Sequence, residues 1–185
     1  MKKICFLFGI LLALIAIQPS KAQGTADVPV VGGRVVFSDT IETLLDKKAI
    51  RLKLNSWLEE YSSDKVSRVV SVNDTTLNAL QCTFIDYLEM GKASLFIYAI
   101  YVKYTVRILY TDNRCTVRIN RIEYITPEDF NSEDRFPPVH TIPAEDVFIK
   151  NNYKVGLVPD APQKIKFHTL VAVEKLFRSL RTSFE

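Results

Sequence analysis

The chain has 185 residues, with 24 Lys or Arg against 21 Asp or Glu and a formal net charge of +3. That excess sits at the start: without Lys2, Lys3 and Lys21 the cations equal the 21 acids. A balanced chain lacks the positive charge that drives binding to nucleic acid or to an anionic membrane surface, so neither partner is expected.

Met1-Lys2-Lys3 opens the sequence, followed by an apolar run from Ile4 to Ile17 and then Ser20-Lys21-Ala22. A basic start, an apolar middle and small residues before a cut are the marks of a secretory signal peptide. Residues 1–22 are assigned to it, with cleavage between Ala22 and Gln23. The apolar run is shorter than the ~20 residues that cross a bilayer, so no membrane span is expected after cleavage. Lipid attachment would need a Cys after the cut, where Gln23 stands. The expectation is an exported protein, periplasmic or extracellular, with residues 23–185 forming a single domain.

Gly32-Gly33 permits a turn or bulge, and Arg34 to Ser38 reads as a first strand. Thr43 or Asp46 can cap a helix, after which Ile50, Leu54, Trp57, Leu58 and Tyr61 fall on one helical face. Ser62-Ser63-Asp64 ends it. A meander follows: a strand over Val66 to Val72, a turn at Asn73-Asp74, and a strand over Leu77 to Glu89. Met90-Gly91-Lys92 is read as the turn into the longest strand.

That strand organises the chain. Phe96, Tyr98, Ile100, Val102, Tyr104, Val106, Ile108 and Tyr110 form an unbroken apolar row at period two, so one face is buried. The odd positions are apolar from Leu95 to Tyr101 and then polar at Lys103, Thr105 and Arg107, so half of the strand is expected to be covered on both faces. Its length, roughly 55 Å at 3.3 Å per residue, requires it to bend. Thr111-Asp112-Asn113 turns out of it into a last strand from Arg114 to Ile125. The apolar phase of that strand shifts between Ile119 and Ile122, which predicts a β-bulge near Asn120-Arg121.

Residues 126–163 hold six of the eight prolines and read as a long irregular segment, with short edge strands at Val147 to Ile149 and Tyr153 to Leu157. Asp160 is placed to cap a final helix with Pro162 in its first turn, and Leu170, Val173, Phe177, Leu180 and Phe184 form its apolar stripe. The fold class is therefore α+β, a curved antiparallel sheet with both helices on one face.

Of three cysteines, Cys82 and Cys115 remain after cleavage. Pairing around Met90-Gly91-Lys92 sets Cys82 opposite about Ile100, and pairing around Asp112-Asn113 sets Cys115 opposite Tyr110. Those positions lie about ten residues, roughly 30 Å, apart on one strand. A disulfide needs Cα atoms within ~7 Å, so both thiols are predicted free.

The order strand, helix, four-strand meander, long loop, helix, together with the Val28-Pro-Val-Val-Gly-Gly-Arg-Val-Val-Phe37 opening and a helix bearing Trp57, resembles the secreted bacterial domain-of-unknown-function 4468 family. The resemblance covers about Val28 to Ile125. Gly32, Gly33 and Arg34 stand where that family commonly has Asp or Asn, then Gly and Lys. It implies a TBP-like fold, brings no catalytic residues, and describes shape only.

No cofactor is expected. His140 and His168 are the chain's two histidines. A Cys–His nucleophile pair would need one of them within hydrogen-bond reach of a thiol, while both thiols are expected in the core. Glu128, Asp129, Glu133, Asp134, Glu145 and Asp146 make the long segment acidic without the alternating spacing of a calcium loop, so no metal site is assigned. No phosphate loop, nucleophile elbow or zinc-binding helix is present. Asp39-Thr40-Ile41 and Asp74-Thr75-Thr76 match a short Asp-Ser/Thr-apolar pattern used for O-glycosylation in some exported bacterial proteins, which makes Thr40 and Thr75 candidates. Phe96, Tyr98, Tyr104 and Phe177 could line an apolar groove between sheet and final helix. The functional expectation is a non-enzymatic, exported binding or structural module. Its partner would be a protein, a glycan or a small apolar ligand; the alternative is a carrier holding that ligand in the groove.

Overall fold

The computed structural model describes residues 28–93, 96–131, 140–151 and 160–185. The expected signal peptide and the expected strand at Tyr153 to Leu157 lie outside them. In chain order the elements are β1 (Val30–Val31), β2 (Arg34–Val35), β3 (Phe37–Glu42), α1 (Lys47–Ser62), β4 (Ser67–Asp74), β5 (Ala79–Ala93), β6 (Phe96–Thr111) and β7 (Arg114–Ile125). After these come α2 (Pro127–Asn131), β8 (Ile142–Pro143), α3 (Ala144–Phe148) and α4 (Ala161–Phe184). Strands β3-β7-β6-β5-β4 pair antiparallel in that order, and β8 joins β7 beyond the end of β3.

Local chemistry explains the boundaries. Gly32 and Gly33 sit at φ +57° and +75°, the left-handed conformation a tight hairpin requires, and join β1 to β2. Asp46 caps α1 by accepting a hydrogen bond from the Ala49 N–H at 2.7 Å. Asn113, at φ +67°, turns β6 into β7. The bulge expected in β7 is present: Lys103 faces Glu123 while Thr105 faces Asn120, and Arg121 takes up the extra residue at φ +51°. Further bulges lie between Val70 and Val72 in β4 and between Glu89 and Gly91 in β5. They let long strands curve around the helices.

Met90-Gly91-Lys92 is part of β5, not a turn. Gly91 adopts φ +142° inside the β5 bulge, and β5 runs on to pair Ala93 with Phe96. The register expected from the sequence is thereby corrected by six residues: Cys82 faces Val106, not Ile100. Cys115 faces Tyr110 as expected. The thiols thus sit on opposite flanks of β6 at positions four residues apart, about 13 Å along the strand. Both are free and buried.

The even row of β6 is the floor of the core, with Ile100, Val102, Tyr104, Val106, Ile108 and Tyr110 all buried. Two helices close it from one side. α1 buries Ile50, Leu54, Trp57, Leu58 and Tyr61, the face read from the sequence. α4 buries Ala161, Ile165, Thr169, Leu176, Phe177 and Leu180. The expected stripe on α4 is therefore rotated and extended toward its start, with Val173 and Phe184 only half-buried. Asp160 precedes this helix at φ +55°, with no capping hydrogen bond from its side chain.

Residues 126–163 are more structured than expected. α2 follows β7 directly, β8 and α3 cover the β7 edge, and α4 starts inside the segment. Val147 and Phe148 are helical and buried in α3, not on an edge strand. The odd face of β6 meets solvent at Ile97, Arg107 and Leu109, while Thr105 is buried and Phe130 of α2 stacks on the Tyr101 ring at 3.9 Å.

Core position and face predict different costs. Ile108→Ala or Leu180→Ala, each removing a fully buried side chain, should lower unfolding free energy by about 2–5 kcal/mol. Ile97→Ala on the solvent face should change it by less than about 0.5 kcal/mol. Urea denaturation of the three variants checks this.

Candidate functional site

The residues expected to line a ligand groove are instead packing residues. Tyr104 and Phe177 are buried, and Tyr98 packs half-buried against the same cluster. The Phe96 side chain lies outside the described residues. Between sheet and α4 there remains a void of about 20 Å³ walled by Val102, Tyr104, Ile119, Ile122, Thr169 and Leu176. A site for a drug-sized ligand holds roughly 300–1,000 Å³, while 20 Å³ approaches the space of one water molecule.

The tyrosine hydroxyls that could orient a ligand are engaged within the core. Tyr61 and Tyr104 share a hydrogen bond of 3.1 Å, and Tyr124 shares one of 2.8 Å with Thr169 of α4. Burial raises the phenols of Tyr61, Tyr104 and Tyr124 above their ordinary pKa. Beside them the Lys65 side chain, only 4% exposed, reaches Asp86 at 2.9 Å and Asp64 at 3.2 Å. Its ammonium lies 4.4 Å from the centroid of the Tyr61 ring. Burial opposes the Lys65 charge, but the hydrogen bond to Asp86 and the surrounding negative charge outweigh it, so its pKa is raised. Burial likewise opposes the Asp64 charge, and Lys65 and Lys175 overcome it, so that carboxyl is lowered.

Above this cluster a groove of about 580 Å³ runs between α1 and α4. Trp57 on its floor is buried and donates its indole N–H to Ser179 Oγ at 3.0 Å. Its walls pair their own charges, Lys175 with Asp64 at 3.6 Å and Arg178 with Glu174 at 3.7 Å. A second groove, about 410 Å³, lies by the β7 bulge between Arg34, Arg121, Glu123 and Glu145. Its acids are engaged too: Glu145 accepts from the Val35 N–H at 3.0 Å and Glu123 pairs with Lys103 at 3.1 Å. The first groove presents no convergent set of unpaired groups; in the second, Arg34 and Arg121 have no ion-pair partner among the described residues.

The residues singled out for chemistry stay apart. His140 is exposed, and His168 packs edge-on against Phe167 at 5.2 Å. Burial pushes the Cys82 thiol up to about 11 and the Cys115 thiol up to about 12, so neither is a nucleophile near neutral pH. Among the acids, Asp146 pairs with Lys150 at 2.7 Å and Asp129 accepts from Thr126 Oγ1 at 2.7 Å; Glu133 and Asp134 lie outside the described residues. Among the described residues no group of three or more His, Cys, Asp or Glu is placed to hold a metal ion. Thr40, on edge strand β3, and Thr75, in the β4–β5 turn, are both exposed.

What the sequence reading missed is the solvent face of the sheet. Tyr87 of β5 and Tyr101 of β6 are cross-strand partners with rings 5.4 Å apart, and Phe130 extends them into a three-ring platform. Tyr87 is 42% exposed, and Ile97, four residues from Tyr101 on the same face of β6, is 55% exposed. The signal was in the odd apolar positions of β6. The misplaced turn hid it by leaving Tyr87 without its partner.

A curved antiparallel sheet, open on one face and gripped by two helices on the other, defines the TBP-like α+β class. Two crystal structures are similar to this chain. One is a DUF4468 family protein from Bacteroides ovatus ATCC 8483, with TM-score 0.71 and 16% identity over 86% of this chain and 91% of that one. The other is a TBP-like protein from Parabacteroides distasonis ATCC 8503, with TM-score 0.65 and 24% identity over 84% of this chain and 96% of that one. These likenesses establish the fold. No protein-family model matches the chain, and no curated protein sequence matches it.

Two outcomes follow from the buried groups. Tyr61, Tyr104 and Lys65 keep their protons in the fold at a pH where the unfolded chain releases them, so the unfolded state then binds fewer protons. Their contribution is complete below the ordinary values of 10.0 and 10.5 and is lost as pH rises through the raised ones. The urea midpoint should therefore hold to about pH 10 and fall above it, less steeply in Tyr104→Phe. Iodoacetamide should leave both thiols unmodified in the native protein near neutral pH and alkylate both after unfolding without reductant, by intact mass.

Proposed function

We propose that this protein is an exported, non-enzymatic binding module that acts through the open face of its sheet. One observation carries the reading: the core closes to a void of about 20 Å³, while Tyr87, Tyr101 and Phe130 stand together on the solvent side, with Tyr87 exposed. Contiguous exposed apolar surface on a soluble protein marks a place of contact. A carrier would need hundreds of Å³ under α4. Catalysis would need a nucleophile beside a base or paired carboxylates in a cleft, whereas His140 is exposed and both thiols are buried. Export rests on the sequence pattern ending at Ala22, and an exported chain would meet envelope glycosylation enzymes with Thr40 and Thr75 as its candidate sites.

Native and denatured mass spectrometry of the protein from its own cell envelope tests the reading. Equal masses are expected, with the chain beginning at Gln23. A native mass larger by a small ligand would overturn the closed core and favour a carrier. A chain beginning at Met1 would overturn export. A denatured mass equal to the bare polypeptide would remove Thr40 and Thr75 as glycosylation sites.

A further inference from the structure

We propose that the open sheet face binds an acidic polysaccharide, with its acid groups on Arg107 and Arg118 and its sugar rings against the platform of Tyr87, Tyr101 and Phe130. This rests on the binding-module reading and adds the chemistry of the ligand.

Arg107 of β6 and Arg118 of β7 are direct cross-strand partners on the solvent face, and both are exposed. Like charges set opposite one another weaken a strand pair. Neighbouring cations of the sheet are matched, Lys103 by Glu123 at 3.1 Å and Arg114 by Glu42 at 2.7 Å, while Arg121 stands apart in the β7 bulge. Among the described residues Arg107 and Arg118 have no carboxylate partner. Two adjacent guanidinium forks facing water are suited to a carboxylate or sulfate, which each can hold bidentately. Ser38 of β3, opposite Arg118, adds a hydroxyl to the same row.

The rest of the face gives the ligand its length. Tyr101 and Arg107 are six residues apart on β6, about 20 Å along the strand. Between them lie the Lys103–Glu123 pair, closed on itself at 3.1 Å, the half-buried Asn120, and Thr105, which is buried and shares its hydroxyl with Thr83 at 3.1 Å. Only a polymer touches both ends. A strand-forming peptide docks by backbone hydrogen bonds at a sheet edge, whereas the backbone of β5, β6 and β7 is already paired on both sides. A nucleic acid carries a charge at every phosphate and needs a run of cations. One unmatched arginine pair, a stretch whose charges are matched internally and an aromatic cluster suit a chain of sugars with sparse acid groups.

Affinity electrophoresis of the mature protein through gels holding polygalacturonate, dextran sulfate or neutral dextran tests this, with melting temperatures as the folding control. Retardation by at least one acidic polymer and not by dextran is expected. Arg107→Gln and Arg118→Gln should each weaken it about tenfold, the loss of one charged contact, with melting temperature unchanged or raised. Tyr87→Ser should weaken it, and Lys48→Gln/Arg51→Gln on α1 should not. Retention unchanged in the double arginine variant, or no retention by either acidic polymer, overturns the proposal. Equal retention by dextran, surviving the arginine changes but lost in Tyr87→Ser, overturns the acidic ligand alone and leaves the binding-module reading standing. Loss in the α1 variant equal to that in the arginine variants overturns the choice of face.

Discussion

The structure depends on keeping one face of one strand dry. β6 has 16 residues, and its even row from Ile100 to Tyr110 is apolar without a break. Burying such a row yields about 25 cal/mol for each Å² of apolar surface removed from water, but two tyrosines on it carry hydroxyls. Tyr104 meets Tyr61 of α1 at 3.1 Å; Tyr110 lies near the end of the strand. On the neighbouring strand Tyr124 meets Thr169 of α4 at 2.8 Å. A buried hydroxyl left without a partner costs roughly 1–3 kcal/mol. These two bonds therefore set where each helix lies as well as how tightly it packs. The Lys65 cluster at the edge continues the rule, since its charge is tolerated in the interior only because Asp64 and Asp86 surround it.

A face sealed in this way turns the proposed function to the outside. The helix layer offers grooves of useful size, but their charges pair among themselves and the indole of Trp57 is committed to Ser179. The sheet's solvent face differs. Its aromatic end is stacked yet exposed, and one of its arginine rows has no internal partner. The bulges in β4, β5 and β7 bend this surface while the helices cover its back, so the proposed binding face lies on a sheet paired through its central strands.

Much of the fold was legible because it follows from periodicity. The α1 face, the even row of β6 and the phase change at Asn120-Arg121 each came from residue spacing and each is present in the structure. Register was not legible around Gly91. A glycine after Met90 fits a turn or a bulge equally well by local preference, and only the pairing of Ala93 with Phe96 decides between them. Both cysteines are free as expected, although the spacing used to argue it was too large. In residues 126–163 the prolines concealed α2 and α3, since Pro127 and Pro143 stand at helix starts, where a missing N–H does no harm. The candidate groove failed for another reason: aromatic residues at period two mark a buried face, and sequence cannot tell a filled interior from an empty one.

The most direct measurement is tetranitromethane modification of the folded protein with the nitrated tyrosines located by peptide mass spectrometry. If the helix-covered face is sealed and the other face is open, Tyr87 is nitrated first, while Tyr61, Tyr104 and Tyr124 stay unmodified until the protein unfolds. Nitration of Tyr104 or Tyr124 in the folded protein at the rate of Tyr87 would contradict this. It would mean that the helices open and that the interior, not the outer face, is where a ligand is met.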